Sequence, residues 1–180
     1  LNDDFVLIKQ ELSRCLRDYD VLLISGGVSM GKFDFVPQVL DEIGVEKIFH
    51  KVRQRPGKPF WFGTYRKQQT IFALPGNPVS VFMCLHRYFI PWLESSLSVK
   101  QSSQQYATLQ NDIHFPYSLQ YFAQVKLVVD HQGTLTAGTI KGNGSGDFSQ
   151  LIVANAFMEL PLGKKEFKKG ETYKVWRYSF

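Results

Sequence analysis

The sequence predicts an α/β domain built on a parallel sheet, followed by a small all-β, barrel-like domain. Helical and strand-like apolar patterns alternate through the first 98 residues. A Ser/Gln-rich stretch, SSLSVKQSSQQ, then interrupts the chain at 95–105, and helical periodicity is missing beyond it. Alternating helices and strands imply parallel strands joined by right-handed crossovers. Several short strands without helices imply a barrel or sandwich. The domain boundaries therefore fall at 1–98 and 99–180, with the polar stretch as a linker.

The elements follow in order. Ile8, Leu12, Cys15 and Leu16 form a helical stripe from about Asp4 to Arg17, and Asp3 or Asp4 is suited to cap it. Val21–Ile24 is a continuous apolar run, expected to be a strand buried on both faces. It empties into Ser25, Gly26 and Gly27, with Ser29 and Gly31 following. A second helix is expected from near Asp34, carrying Val36, Val39, Leu40 and Ile43, with Pro37 in its first turn and Gly44 as its stop. Val45–Val52 reads as the next strand, pairing in parallel with the first, and Phe60–Gly63 and Thr70–Leu74 as two short ones. Val79, Phe82, Met83, His86, Phe89, Ile90 and Leu93 mark a third helical face, on which His86 reads as a packed core histidine. In the second half a hairpin turns at Asp130–Gly133, a Gly-rich loop and strands fill 142–161, and Tyr173–Tyr178 is the last strand.

Composition narrows the class. Hydrophobic residues make up 44% and charged residues 21%, the balance of a soluble globular protein and not of a disordered one. No apolar run reaches membrane-spanning length, and LNDDFVLIKQ lacks the basic region and cleavage site of a signal peptide. The +5 net charge divides evenly: 12 basic and 10 acidic residues in 1–98, 9 and 6 in 99–180. A nucleic-acid platform would concentrate its charge, so nucleic acid and membrane are not expected partners. Lys164, Lys165, Lys168 and Lys169 read as a solvated loop. Cys15 and Cys84 lie in helical patterns and read as small buried hydrophobes of a reducing compartment, although a disulfide stays open.

Three stretches carry chemistry. In VLLISGGVSMGKFD a buried strand ends in glycines and a helix follows. Open α/β sheets bind phosphorylated ligands at such a turn, because backbone N–H groups converge there and no Cβ keeps an anion away. A tight turn without a ligand has the same pattern, which matches neither a P-loop nor a dinucleotide fingerprint. In HKVRQRPGKP, Lys51, Arg53, Arg55 and Lys58 lie beside His50, and Pro56 and Pro59 stiffen the turn that presents them. A solvated loop is the alternative. In LPGNPVS, Asn77 can cap and Pro78 can start a helix with Gly76 just before it, so a second anionic group can bind there.

Taken together, SGGVSMGKFDFV, the PGKP turn, LPGNPVS and the tail GNGSGDFSQLIVANAFMELP resemble the molybdopterin molybdenumtransferase family, the MoeA proteins and the E domain of gephyrin-like proteins. The resemblance covers essentially the whole chain. It implies a partial three-layer molybdopterin-binding domain at 1–98 and the family's β domain at 99–180. Its implied activity is transferase chemistry of molybdenum cofactor biosynthesis: molybdate is inserted into adenylylated molybdopterin and AMP is released, with Mg²⁺ assisting. Ser25, Gly26, Gly27, Val28, Ser29 and Gly31 of the first loop, and Pro75, Gly76, Asn77, Pro78 and Ser80 of the second, would then hold the molybdopterin ligand. Asp34 would bind the metal and, with Asp3, act in catalysis; helix capping is the other role open to each. Lys51, Arg55, Lys58 and Ser145 would bind molybdate.

Two residues depart from the family pattern. Arg55 stands where lysine is usual, and Gln124 where an arginine is expected. Arg55 and Lys58 should therefore matter more to molybdate than any β-domain cation. The family's long N-terminal region and the first part of its molybdopterin domain have no counterpart here. The resemblance thus implies a C-terminal fragment whose sheet lacks a central strand, from a cytoplasmic protein that is a homodimer at full length. A non-catalytic molybdopterin-binding or scaffold module is the alternative function. A nucleotide-acting competence-damage-type protein fits less well, since its Gly-Pro-Thr loop and paired aspartates are missing.

Overall fold

The computed structural model describes residues 4–29, 34–99, 103–140 and 149–178. The chain divides into two compact units, one of Leu1–Val52 with Gly57–Val81 and the other of Arg53–Pro56 with Phe82–Phe180.

In the first unit, helix α1 (Phe5–Asp18) starts where Asp4 accepts hydrogen bonds from the N–H groups of Val6 (2.9 Å) and Leu7 (3.1 Å). Strand β1 (Val21–Ser25) and helix α2 (Val36–Glu42) follow, and α2 stops at Gly44 with φ +81°. Phe35, not Asp34, occupies the cap position of α2 and makes no side-chain cap bond. Strands β2 (Glu46–His50), β4 (Trp61–Tyr65) and β5 (Gln69–Leu74) complete a four-stranded sheet in the order β1-β5-β4-β2; the two-residue strand β3 (Gln54–Arg55) belongs to the second unit.

Within this sheet, among the described residues, only β1 and β5 pair in parallel, Leu22 opposite Ile71 and Ile24 opposite Ala73. β4 runs antiparallel to both β5 and β2, so β1 and β2 share a direction but lie at opposite edges. The expected direct pairing of these two strands is thus corrected. The tight β4–β5 hairpin is inserted between them, and its local pairing closes a shorter loop than a crossover does.

Ile8, Leu12 and Leu16 of α1 and Val39 and Leu40 of α2 are buried with Leu22, Trp61, Ile71 and Ala73 on one sheet face. Alternation sends Phe49, Phe62 and Phe72 to the other face, where with Phe60 they form an aromatic cluster at centroid distances such as 4.8 Å for Phe62–Phe72. Leu23 lies on that second face and is 46% exposed. The expectation that Val21–Ile24 is buried on both faces is corrected accordingly: α1 and α2 both cover the face that carries Leu22.

Helix α3 (Pro78–Cys84) runs through a π turn (Leu85–Phe89) into α4 (Ile90–Ser96), where a uniform α-helix was expected. In the second unit β6 (Gln105–Leu109), β8 (Gln120–Val129), β9 (Leu135–Thr139), β10 (Ala156–Leu160) and β12 (Thr172–Arg177) close on themselves in the order β10-β12-β6-β9-β8-β10. β3 adds in parallel to the start of β8, and β7 (Ile113–His114) pairs with β11 (Glu166–Phe167). Leu109, Val125, Leu127, Ala137, Met158, Leu160 and Phe167 fill the interior. The β8–β9 hairpin turns on Asp130, whose carboxylate accepts from the N–H groups of Gln132 and Thr134 (2.9 Å each), with Gly133 at φ +80°. The expected barrel-like domain is thus present. Several elements were not foreseen: strands β3, β6, β7 and β11, and the short helix α5 (Gln150–Val153) before β10.

Candidate functional site

β1 and β5 are neighbours in parallel, so their carboxyl ends deliver two loops side by side. The first is Ser25–Ser29 and the second Pro75–Asn77, which leads into α3. Their backbones touch: a Cβ built on Gly76 would lie 3.5 Å from the Cα of Gly26. Ligand sites of open α/β sheets lie at the carboxyl ends of parallel strands, so both glycine motifs stand at the expected place.

The first loop is held at four points. Gly26 (φ +88°) donates its N–H to the Leu74 carbonyl (3.0 Å), and the Gly27 carbonyl (φ +68°) accepts from Val36 (3.2 Å). Val28 is 1% exposed within the core, and its carbonyl lies 3.0 Å from His50 Nε2, which must carry the proton to donate there. With the Gly26 N–H taken up by Leu74, an anion at this loop draws on donors from Gly27 onward. In the second loop Asn77 caps α3: its Oδ1 accepts from the Ser80 N–H (3.0 Å) and hydroxyl (3.2 Å). Ser80 is buried and its polar groups serve that cap. Pro75 is buried, while Gly76 and Pro78 are exposed. Asp34 is half-buried two residues before α2, at the far end of the segment that follows the first loop. Asp3 and Gly31 lie outside the described residues.

The basic turn is pinned by its own backbone. Lys51 donates to Phe60 (2.9 Å), Val52 to Lys58 (2.9 Å) and Phe60 to Gly57 (3.2 Å), and Gly57 sits at φ +87°. The Val52–Lys58 bond brings the exposed Lys51 and Lys58 to one turn of the first unit. Lys51 itself has φ +68°, a left-handed conformation that costs a non-glycine residue about 1–2 kcal/mol. Arg55 belongs to the second unit, on β3, and Ser145 lies outside the described residues. Gln124 sits on β8 opposite Phe157, its Oε1 buried with no partner among the described residues.

Cys84 and His86 are governed by burial. Burial pushes the Cys84 thiol up to about 12, while the Gln54 amide at 3.8 Å works the other way. Cys15 and Cys84 are both free thiols. His86 is held below its ordinary value by burial and packs on the rings of Phe82 (4.6 Å) and Tyr178 (5.7 Å), the core role expected of it. His50, at the end of β2, meets a partner 22 positions away in the glycine loop, a contact that leaves no periodic signal in the sequence.

An α/β unit with two abutting glycine loops at parallel strand ends, followed by a closed β-barrel, defines the class. Residues 1–95 match the family described as a probable molybdopterin binding domain, and 106–178 match the MoeA C-terminal region (domain IV). The chain belongs to the molybdopterin molybdenumtransferase (MoeA) family. It is 38% identical to the molybdopterin molybdenumtransferase of Synechocystis, over 99% of this chain and 43% of that protein. It is 30% identical to the Bacillus subtilis protein of the same name, over 97% and 40%. The crystal structure of the molybdopterin biosynthesis moeA protein of Pyrococcus horikoshii OT3 superposes with a TM-score of 0.74 at 27% identity, covering 99% of this chain and 40% of that one. The chain thus spans about two-fifths of the length of these relatives. No helix among the described residues is long and apolar enough to cross a membrane.

Proposed function

We propose that this chain is the molybdopterin-binding part of a molybdenum-inserting transferase, which takes adenylylated molybdopterin and molybdate and releases AMP. One observation carries the reading: the Gly26–Gly27 and Gly76 loops abut at the ends of two neighbouring parallel strands. A ligand with several phosphate oxygens spans two such loops, where an ordinary turn needs only one. Backbone N–H groups from Gly27 onward, and those at the start of α3, would bind the phosphates.

Among the described residues no cluster of three or more His, Cys, Asp or Glu side chains is set for a metal, so a magnesium ion would rest on one carboxylate and the substrate's own phosphates. Mg²⁺ is held by one or two carboxylates together with substrate phosphates, and Asp34, half-buried two residues before α2, offers one carboxylate. Asp34 would hold the ion, which when bound would supply Lewis-acid stabilisation at the phosphoanhydride, and Asp3 carries a catalytic assignment from the family motif alone. Lys51 and Lys58 supply charge for molybdate on the first unit's rigid turn. Arg55 and Ser145 carry the same assignment from the family motif alone. Cytoplasmic location and a full-length homodimer complete the assignment.

Asp34→Asn tests it. The substitution removes the metal-binding charge and keeps the side chain's shape. In the full-length protein, AMP release from adenylylated molybdopterin is expected to stop while binding of that ligand, followed by titration, is largely retained. Release at the wild-type rate would leave Asp34 without a metal role.

A further inference from the structure

Arg55 is held by an aromatic platform that the function described above does not use. β3 is only two residues long, and its side chains alternate. Gln54 points inward and is fully buried; its amide N–H lies on Cys84 Sγ, and its oxygen accepts from the Tyr88 hydroxyl. That buried clamp prevents β3 from sliding along β8, where Gln54 pairs with Gln120 and Arg55 with Tyr121. Arg53 and Arg55 therefore project the other way, toward the segment before β8. The Arg53 guanidinium reaches the Ser118 carbonyl and hydroxyl, both at 3.4 Å. The Arg55 guanidinium lies over the Tyr117 ring, 5.0 Å from its centroid.

Tyr117 is itself anchored. Its ring meets Phe115 edge-on at 5.3 Å, and Phe115, 5% exposed, stacks on Tyr121 at 4.2 Å and 4°. The platform is thus rooted in the barrel core although Tyr117 is 52% exposed. Among the described residues Arg55 has no carboxylate partner.

We propose that Tyr117 is a positioning residue that orients the Arg55 guanidinium toward a tetrahedral oxyanion; this rests on the molybdate assignment of Arg55 above. A guanidinium is planar, so a ring can hold its face while its edge N–H groups stay available to the anion. A lysine ammonium has no such division between face and edge, which gives Arg55 a physical reason to stand where lysine is usual. The aromatic partner and the arginine form one unit.

The test is direct titration of molybdate into the full-length protein and its variants. Tyr117→Leu is expected to weaken molybdate about twofold to fivefold, the range for an exposed cation–π contact, and Tyr117→Phe to retain wild-type affinity. In an Arg55→Ala background, Tyr117→Leu should cause no further loss. A wild-type affinity for Tyr117→Leu beside a loss for Arg55→Ala would overturn the platform alone, as would an undiminished second loss in the double variant. A loss for Lys58→Ala with none for Arg55→Ala would remove Arg55 from the anion site, and this proposal with it, while the first unit's assignment stands. No loss for either cation would overturn the molybdate reading itself. A measurement without substitution at 117 is the NMR shift of the Arg55 Cδ protons. A ring above the guanidinium moves them upfield, and an ordinary shift would overturn the proposal.

Discussion

Gly26 and Gly27 share a left-handed backbone, yet they are glycine for different reasons. A Cβ on Gly26 would meet nothing within 4 Å, so alanine there suffers only the cost of φ +88°. A Cβ on Gly27 would lie 2.8 Å from Val36 Cγ2, and Val36, the first residue of α2, is buried in the core. Gly26→Ala should therefore cost about 1 kcal/mol, and Gly27→Ala about 2–3 kcal/mol, because strain is joined by overpacking. Urea unfolding of the two variants in the full-length protein checks the ranking, and equal losses would show that Val36 yields. The glycines were legible in the sequence because a strand running into Ser-Gly-Gly has few other uses. His50 and Tyr117 were not, since each acts on a residue far along the chain: His50 reaches back 22 positions to Val28.

At the scale of elements, the lysine-rich segment before β12 is solvent-exposed, as expected, and two of its lysine side chains are in addition tied by hydrogen bonds. Lys164 Nζ donates to Glu171 (2.6 Å) and to the Tyr173 hydroxyl (3.1 Å). The Tyr173 hydroxyl donates to Glu171 (2.6 Å), as does the Lys168 N–H (3.0 Å). Lys168 Nζ reaches Asp112 at 3.0 Å, linking this turn to the one before β7. Alternating acidic and basic residues at a strand entry look the same in sequence whether or not they meet, so only the closure of the barrel reveals the network. Donation from Lys164, then from Tyr173 and Lys168, lowers the Glu171 carboxyl from 4.5 to about 2. Between those values the unfolded chain binds more protons than the folded one, so the stabilisation is present above about pH 4.5 and lost as pH falls toward 2. Thermal midpoints of wild type should drop through that window, and Glu171→Gln should flatten the slope there. An unchanged slope would mean that solvent already satisfies the carboxylate.

For the whole molecule, the uncovered feature is β1. With β2 it is one of the two edge strands of the first unit's sheet among the described residues, and Leu23 stands 46% exposed on the face away from α1 and α2. A strand left unpaired along one edge is a template for pairing with another chain. The 180-residue chain expressed alone should self-associate, and Leu23→Lys should raise its monomer fraction in analytical ultracentrifugation. A cooperative thermal transition in a dilute, monomeric sample of the unsubstituted chain would contradict this. The same exposed face corrects the expectation drawn from VLLI, because a run of apolar residues reports the burial that a strand requires and not which neighbours supply it.

The sequence by itself determined the main helices and strands of the first half, a cap at Asp3 or Asp4 and one at Asn77, the stop at Gly44, the turn at Asp130–Gly133 and the two glycine loops. These are local properties, set by side-chain period and by the few residues that tolerate a given φ. The sequence missed β3, β6, β7, β11 and α5. Its motifs also sufficed to indicate the family. Tertiary structure alone decided that β5, and not β2, lies beside β1, and that pairing is what brings Gly26 against Gly76. It also decided that Arg55 leaves the basic turn to join β8 and rest on Tyr117, while Lys51 and Lys58 stay with the first unit. Strand order and side-chain partners depend on which distant surfaces bury each other, and a one-dimensional pattern records the need for burial without recording the partner.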